Sequence, residues 1–238
     1  MAELTPTPIV VLDYPSAAAA LALVDRLGER ARFYKVGLEL FTAEGPSVVH
    51  ALRERGADVF LDLKLHDIPN TVAGAVRSAA RLGARLLTVH TAGGPAMLAA
   101  AAEAAEGTGC GLLGVTLLTS LDAATTGAVF GREVVALDDE VVRLAALADA
   151  AGLHGVVCSG HEAALVRDRF GGRLATLVPG IRLAGGAAHD QARVVTPAAA
   201  ARAGARYVVL GRAVTAAPDP AAALSAIVAE LEGAALAV

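Results

Sequence analysis

Short apolar runs rich in Val, Leu and Ile recur eight times along this 238-residue chain, at intervals of about 25 residues, with Ala-rich amphipathic stretches between them. The runs are Ile9–Asp13, Phe33–Gly37, Val59–Lys64, Leu86–His90, Leu112–Leu118, Gly155–Ser159, Leu174–Val178 and Tyr207–Gly211. Continuous apolar runs suit strands buried on both faces, and alternation with helices implies a parallel sheet that those helices cover. The spacing predicts helices at Ala17–Leu27, Gly45–Arg55, Thr71–Leu82, Pro95–Ala105, Asp138–Ala151, Glu162–Arg169, Pro197–Ala203 and Pro220–Leu231. Ser16, Pro95, Pro197 and Pro220 are start signals, and Gly28, Gly56, Gly83, Gly152 and Gly204 are stop signals. Eight such units predict a parallel eight-stranded α/β fold, a (β/α)8 TIM barrel occupying residues 1–238 as a single domain. Two connections are longer than such a unit needs, Thr119–Asp138 and Arg182–Thr196, and long connections in compact domains often serve as lids or binding loops.

Composition narrows the function classes. With 55% hydrophobic and 18% charged residues the chain is far from disorder, and 3% aromatics require an aliphatic core. A net charge of -4 without a basic run argues against nucleic acid as partner. The longest apolar stretch, Ala17–Val24, is too short to span a bilayer, and no basic residue precedes Arg26, so a cytoplasmic protein without a membrane partner is expected. Cys110 and Cys158 are isolated in apolar contexts and read as inert core thiols. The 20 basic residues include only two Lys, Lys35 and Lys64. Arg serves wherever a surface cation suffices, so these two mark places that need a compact ammonium able to give up a proton.

In a barrel, function sits at the C-terminal ends of the strands. Those ends carry Asp13, Lys35, Asp62 with Lys64, His90, Thr119 with Ser120, Ser159, Arg182, and Gly211 with Arg212. Strand alternation sends Asp62 and Lys64 into the mouth while Leu61, Leu63 and Leu65 face the helices. Buried charges need partners, and Lys35 on the neighbouring strand supplies one. Asp67 lies past the strand end, before Pro69, placed to reach over the rim. Pro179-Gly-Ile-Arg182 and Gly211-Arg212 follow strands seven and eight, where many barrels bind phosphate.

The run Asp62-Leu-Lys-Leu-His-Asp-Ile-Pro-Asn-Thr71 resembles the orotidine 5'-phosphate decarboxylase family in its bacterial short-chain type. The likeness extends through Val11-Leu-Asp13, Lys35-Val-Gly37, Val89-His90, Ala92-Gly-Gly94, Leu118-Thr-Ser120, Gly155–Ser159, Pro179–Arg182, Asp190-Gln191 and Gly211-Arg212. The resemblance implies a cofactor-free carboxy-lyase in pyrimidine synthesis that converts orotidine 5'-monophosphate to uridine 5'-monophosphate and carbon dioxide. It implies that Lys35, Asp62, Lys64 and Asp67 form the catalytic network, with Asp67 reaching into the neighbouring site of a homodimer. It implies further that Asp13 holds ribose hydroxyls, that Thr71, Thr119 and Ser120 contact substrate, and that Arg182, Gln191, Gly211 and Arg212 grip the phosphate, with Gln191 in a closing lid. One departure is Val178, where the family pattern has Thr before Pro-Gly-Ile-Arg.

Three other readings use the same residues. A sugar-phosphate decarboxylase or aldolase-like relative shares the Asp-x-Lys-x-x-Asp element but holds Mg2+ with carboxylates, and Lys35 would repel that metal. A Schiff-base aldolase needs a neutral Lys64, whereas flanking carboxylates favour the ammonium. A phosphate-binding barrel with a structural ion network would bind nucleotide without changing it.

Overall fold

A computed structural model describes residues 5–183 and 194–235. Eight parallel strands close on themselves in chain order: β1 (Thr7–Val11), β2 (Phe33–Gly37), β3 (Asp58–Leu65), β4 (Leu86–His90), β5 (Gly111–Val115), β6 (Gly155–Val157), β7 (Ala175–Val178) and β8 (Tyr207–Leu210). The ring is sealed by β1 against β8, in register from Thr7↔Tyr207 to Val10↔Leu210. The expected (β/α)8 barrel is therefore present.

Side-chain parity splits the core into two shells. Ile9, Val11, Phe33, Phe60, Leu86, Leu113, Leu177, Tyr207 and Val209 point inward and plug the barrel. Their strand neighbours, such as Val10, Val59, Leu61, Val178 and Val208, point outward into a larger cluster shared with the helices. Tyr207 packs edge-on against Phe33 at 6.4 Å, and its hydroxyl lies 3.0 Å from His154 Nε2. Val178 belongs to the outer shell, so the one departure from the family pattern leaves the mouth untouched. Cys110 and Cys158 are buried and unbridged, and burial pushes the Cys110 thiol up to about 11.

Helices run close to their expected bounds, with instructive exceptions. The stretch after β2 holds two helices, Leu38–Glu44 and Pro46–Glu54, where one was expected from Gly45. Gly45, at φ 61, ends the first, and Pro46 opens the second. The connection after β5 is not an open loop. It contains helix Ala123–Phe130, capped by Asp122, whose carboxylate accepts from Thr125 N at 2.8 Å. The buried Glu140 carboxylate ties this excursion down by pairing with both Arg132 and Arg143. β5 stops at Val115, three residues short of expectation, as does β6 at Val157, two short. There Thr116 Oγ1 donates to Val157 O at 2.9 Å, and Ser159 starts helix Gly160–Phe170, its N–H donating to Glu162 at 2.7 Å. Ser159 is thus a helix-start residue rather than part of the rim. Among the described residues, no helix is long and apolar enough to cross a membrane.

The decisive irregularity lies in β3. Leu61 pairs with Leu87 but Leu65 with Val89, so four residues of β3 span two of β4. Lys64 takes up the excess with φ 49, the one positive φ outside glycine among the described residues. An L-residue held there costs on the order of 1 kcal/mol. Lys64→Ala and Lys64→Gly both remove the ammonium, but only Gly relaxes the backbone. The Gly variant is expected to be the more stable by about 1 kcal/mol in chemical denaturation.

Candidate active site

The cavity at the C-terminal end of the barrel has a volume of about 570 Å³ and is floored by Val11, Phe60, Leu177 and Val209 of the inner shell. Phe60 and Asp62 share strand parity, which lifts the Asp62 carboxylate directly above that apolar floor. Asp62 lies between two ammonium groups. Lys64 Nζ donates to its Oδ1 at 2.8 Å, and Lys35 Nζ stands 3.5 Å from its Oδ2. Lys35, only 8% exposed, also donates to Asp13 Oδ1 at 2.9 Å. The result is a continuous chain, Asp13–Lys35–Asp62–Lys64, carried by the ends of three adjacent strands. Burial alone would push the Asp62 carboxyl up, but the charges of Lys35 and Lys64, with hydrogen bonds from Lys64 and Thr88, hold it below the usual carboxylate range.

Two residues that sequence reasoning passed over maintain this chain. Thr88, fully buried on β4, donates from Oγ1 to Asp62 Oδ1 at 3.1 Å and accepts from Lys64 N at 2.9 Å. The available signal was parity, since Thr88 lies two residues before His90 and points to the same side. Gly37, quoted only as part of a motif, leaves the space in which the pair beside it forms. A Cβ there would lie 2.7 Å from Asp13 Oδ1 and 2.8 Å from Lys35 Nζ. Its φ of -91° is open to any residue, so the requirement is for room.

The wall formed beyond β7 and β8 carries Pro179, Gly180, Arg182, Gly211 and Arg212. Arg182 is 9% exposed, and burial together with the Arg212 charge pulls its pKa below the usual guanidinium value. It stays protonated regardless, so two converging cations favour an anion between them. Arg182 N donates to Val195 O at 3.0 Å and Val195 N to Gly180 O at 3.3 Å, pinning both roots of the connection after β7. Gln191, expected in that connection, lies outside the described residues. Leu118, Thr119 and Ser120 complete the wall beyond β5.

The structure therefore brings Asp13, Lys35, Asp62, Lys64, Thr119, Ser120, Arg182, Gly211 and Arg212 around one cavity. Asp67 and Thr71 do not line it. Both are exposed on the rim, and the Asp67 carboxylate accepts from Ile68 N at 2.6 Å. His90 is also outside the cavity and stacks on His66, ring centroids 5.4 Å apart. Burial lowers its pKa, as do His66 and Lys64, leaving a neutral imidazole at neutral pH.

Over residues 6–227 the sequence matches the family described as the orotidine 5'-phosphate decarboxylase / HUMPS family. The chain belongs to that family. An orotidine 5'-phosphate decarboxylase from Halorhodospira halophila is 52% identical over 236 residues, 96% of this chain and 97% of the relative. One from Anaeromyxobacter sp. (strain K) is 55% identical over 222 residues, 92% of this chain and 96% of the relative. The crystal structure of the Lactobacillus acidophilus orotidine 5'-phosphate decarboxylase superposes with a TM-score of 0.84 at 34% identity, covering 96% of this chain and 99% of that one. Membership makes the chain an enzyme, a carboxy-lyase of the kind for which these family relatives are named.

Two expectations follow from the geometry. Because the native Asp62 pKa lies below its unfolded value of about 3.9, the group stabilises the fold above that pH and loses its contribution as pH falls through the native value. Melting temperature should therefore fall more steeply between about pH 5 and pH 2 in the wild type than in Asp62→Asn, and parallel curves would refute the assignment. In Gly37→Ala the added methyl group should open the Lys35–Asp13 contact, which a crystal structure of the variant would reveal.

Proposed function

We propose that this enzyme converts orotidine 5'-monophosphate to uridine 5'-monophosphate and carbon dioxide in pyrimidine synthesis, without a cofactor, and that Lys64 is the proton donor. The supporting observation is the Lys35–Asp62–Lys64 array within the same cavity as the paired cations Arg182 and Arg212. A nucleotide phosphate held by those arginines and the Gly211 backbone leaves the base to lie toward β3. Thr119 and Ser120 border the pyrimidine, Gln191 contributes to phosphate binding, and Asp13 with Lys35 receives the ribose hydroxyls.

The chemical difficulty is charge. Loss of the carboxylate leaves an electron pair on ring carbon six with little delocalisation. The Lys64 ammonium, held by Asp62, stabilises that charge where it develops and then transfers its proton to the same carbon. Asp62 faces the departing carboxylate, and their repulsion falls as carbon dioxide leaves. Electrostatic stabilisation of the carbanion carries more weight than that ground-state effect. Binding energy from the remote phosphate organises the charged end of the site.

Asp67 is exposed outside its own cavity, which supports its acting in the site of a neighbouring subunit of a homodimer, while Thr71 is kept as a substrate contact. Ile68 and Leu38, 68% and 56% exposed near the ends of β3 and β2, give that rim an apolar surface suited to association. Residues 1–238 then form one barrel domain of a cytoplasmic enzyme with neither nucleic acid nor membrane as partner. The Mg2+-dependent sugar-phosphate reading is disfavoured by Lys35 Nζ, which sits between Asp13 and Asp62 where that reading wants a metal.

Purified protein incubated with orotidine 5'-monophosphate in excess EDTA should show the ultraviolet change from orotate to uracil. A folded protein inert under those conditions would overturn the proposal. Lys64→Ala should abolish turnover while still binding uridine 5'-monophosphate, and retained turnover would remove Lys64 from its role.

A further inference from the structure

We propose that Thr88 is a positioning residue for the reaction, its single hydroxyl fixing both the Asp62 carboxylate and the backbone from which the Lys64 ammonium projects. This rests on the decarboxylase reading above and adds a residue on β4 to a site otherwise built from the neighbouring strands and loops. The hydroxyl is used in both of its capacities. Its proton goes to Asp62 Oδ1 at 3.1 Å, and its oxygen receives the Lys64 N–H at 2.9 Å. Thr88 is fully buried, and its β-branched side chain has few rotamers, so the oxygen has little freedom to move.

The second contact matters because of where Lys64 sits. Between Leu61 and Leu65 the ladder with β4 loses its regular register, and Lys64 is the residue whose φ of 49 accommodates the excess. A backbone N–H turned out of the ladder needs another acceptor, and Thr88 Oγ1 supplies it. Without the hydroxyl, the left-handed turn and the direction of the lysine would no longer be fixed from the sheet. The first contact acts on the same pair from the other side. Oδ1 of Asp62 accepts from both Lys64 Nζ and Thr88 Oγ1, leaving Oδ2 toward Lys35. One hydroxyl on β4 therefore holds both members of the β3 pair, the Asp62 carboxylate and the Lys64 backbone.

Thr88→Val keeps the shape and removes the hydroxyl, and Thr88→Ser restores it. The groups acting electrostatically on Asp62 are Lys35 from β2, Lys64 from β3 and Thr88 from β4, and Asp62 in turn influences His90 on β4. Of these, only Thr88 is altered in the variants. Thr88→Val is expected to lower kcat by about 100-fold with KM for orotidine 5'-monophosphate changed little, because the loss falls on orientation of the reacting groups. The acid limb of its kcat profile should move to higher pH, since Asp62 loses a hydrogen bond that favours its charged form. Thr88→Ser should return both quantities most of the way to wild type. A purely structural threonine would lower melting temperature without moving the acid limb. Wild-type kcat and an unmoved acid limb in folded Thr88→Val would overturn the proposal.

If Thr88→Val does not fold, Thr88→Cys takes its place, its thiol being a weak donor and a weak acceptor. Wild-type kcat and acid limb in that variant would overturn the proposal equally. If the wild type proves inert toward orotidine 5'-monophosphate, the functional reading fails but the positioning claim is still tested. The acid-side loss of melting temperature should then begin at higher pH in Thr88→Val than in wild type, and coincident profiles would refute it.

Discussion

The Asp62 carboxylate, shared between two ammonium groups, is the constraint around which the mouth of this barrel is organised. Both lysines contact it, and their charges hold the buried carboxylate in its ionised form. Such a chain of alternating charge is a weak source of stability, because well-packed apolar side chains would serve as well or better. Its presence therefore points to chemistry. It also explains why an Arg-rich chain retains its only two Lys here, within reach of the same carboxylate. A guanidinium would bridge the acids but could not give up a proton.

The array is held by irregularity as much as by regularity. A regular β3 would point Lys64 into the mouth but leave its N–H in the ladder. The bulge turns that N–H toward Thr88 and sets the side chain at an angle that plain alternation does not supply. Strain at a catalytic candidate persists only where the surroundings over-determine it. Here those surroundings are Thr88 on one side and Asp62 on the other. Gly37 contributes by omission, since a methyl group at that position would occupy the space that the Lys35–Asp13 pair needs.

The barrel was legible in the sequence because its strands are short, continuous and regularly spaced, and period-two alternation placed Asp62 and Lys64 on one side before any coordinates. What escaped were features set by neighbours in space. Thr88 reads as an ordinary β-branched strand residue until β3 is seen beside it. Helix Ala123–Phe130 was hidden by its Thr-Thr-Gly interior, a poor helix-forming run that Asp122 caps and whose connection is anchored by the ion pairs of Glu140. Helix Leu38–Glu44 follows β2 directly, with Glu39 in its first turn but Gly37 at its N-cap and no side-chain cap to mark its start.

The inner shell of Ile9, Phe33, Leu86, Leu113 and Tyr207 has a consequence for traffic. It stoppers the barrel beneath the cavity, which opens at the C-terminal ends of the strands. On the proposed reading a nucleotide entering base-first would be followed by its own phosphate, which would come to rest by Arg182 and Arg212 at that opening. The carbon dioxide formed beneath it would then have to slip past the nucleotide or wait behind it. On the proposed reading the proton donor, in contrast, is already inside, and nothing that the reaction would consume has to arrive after the substrate.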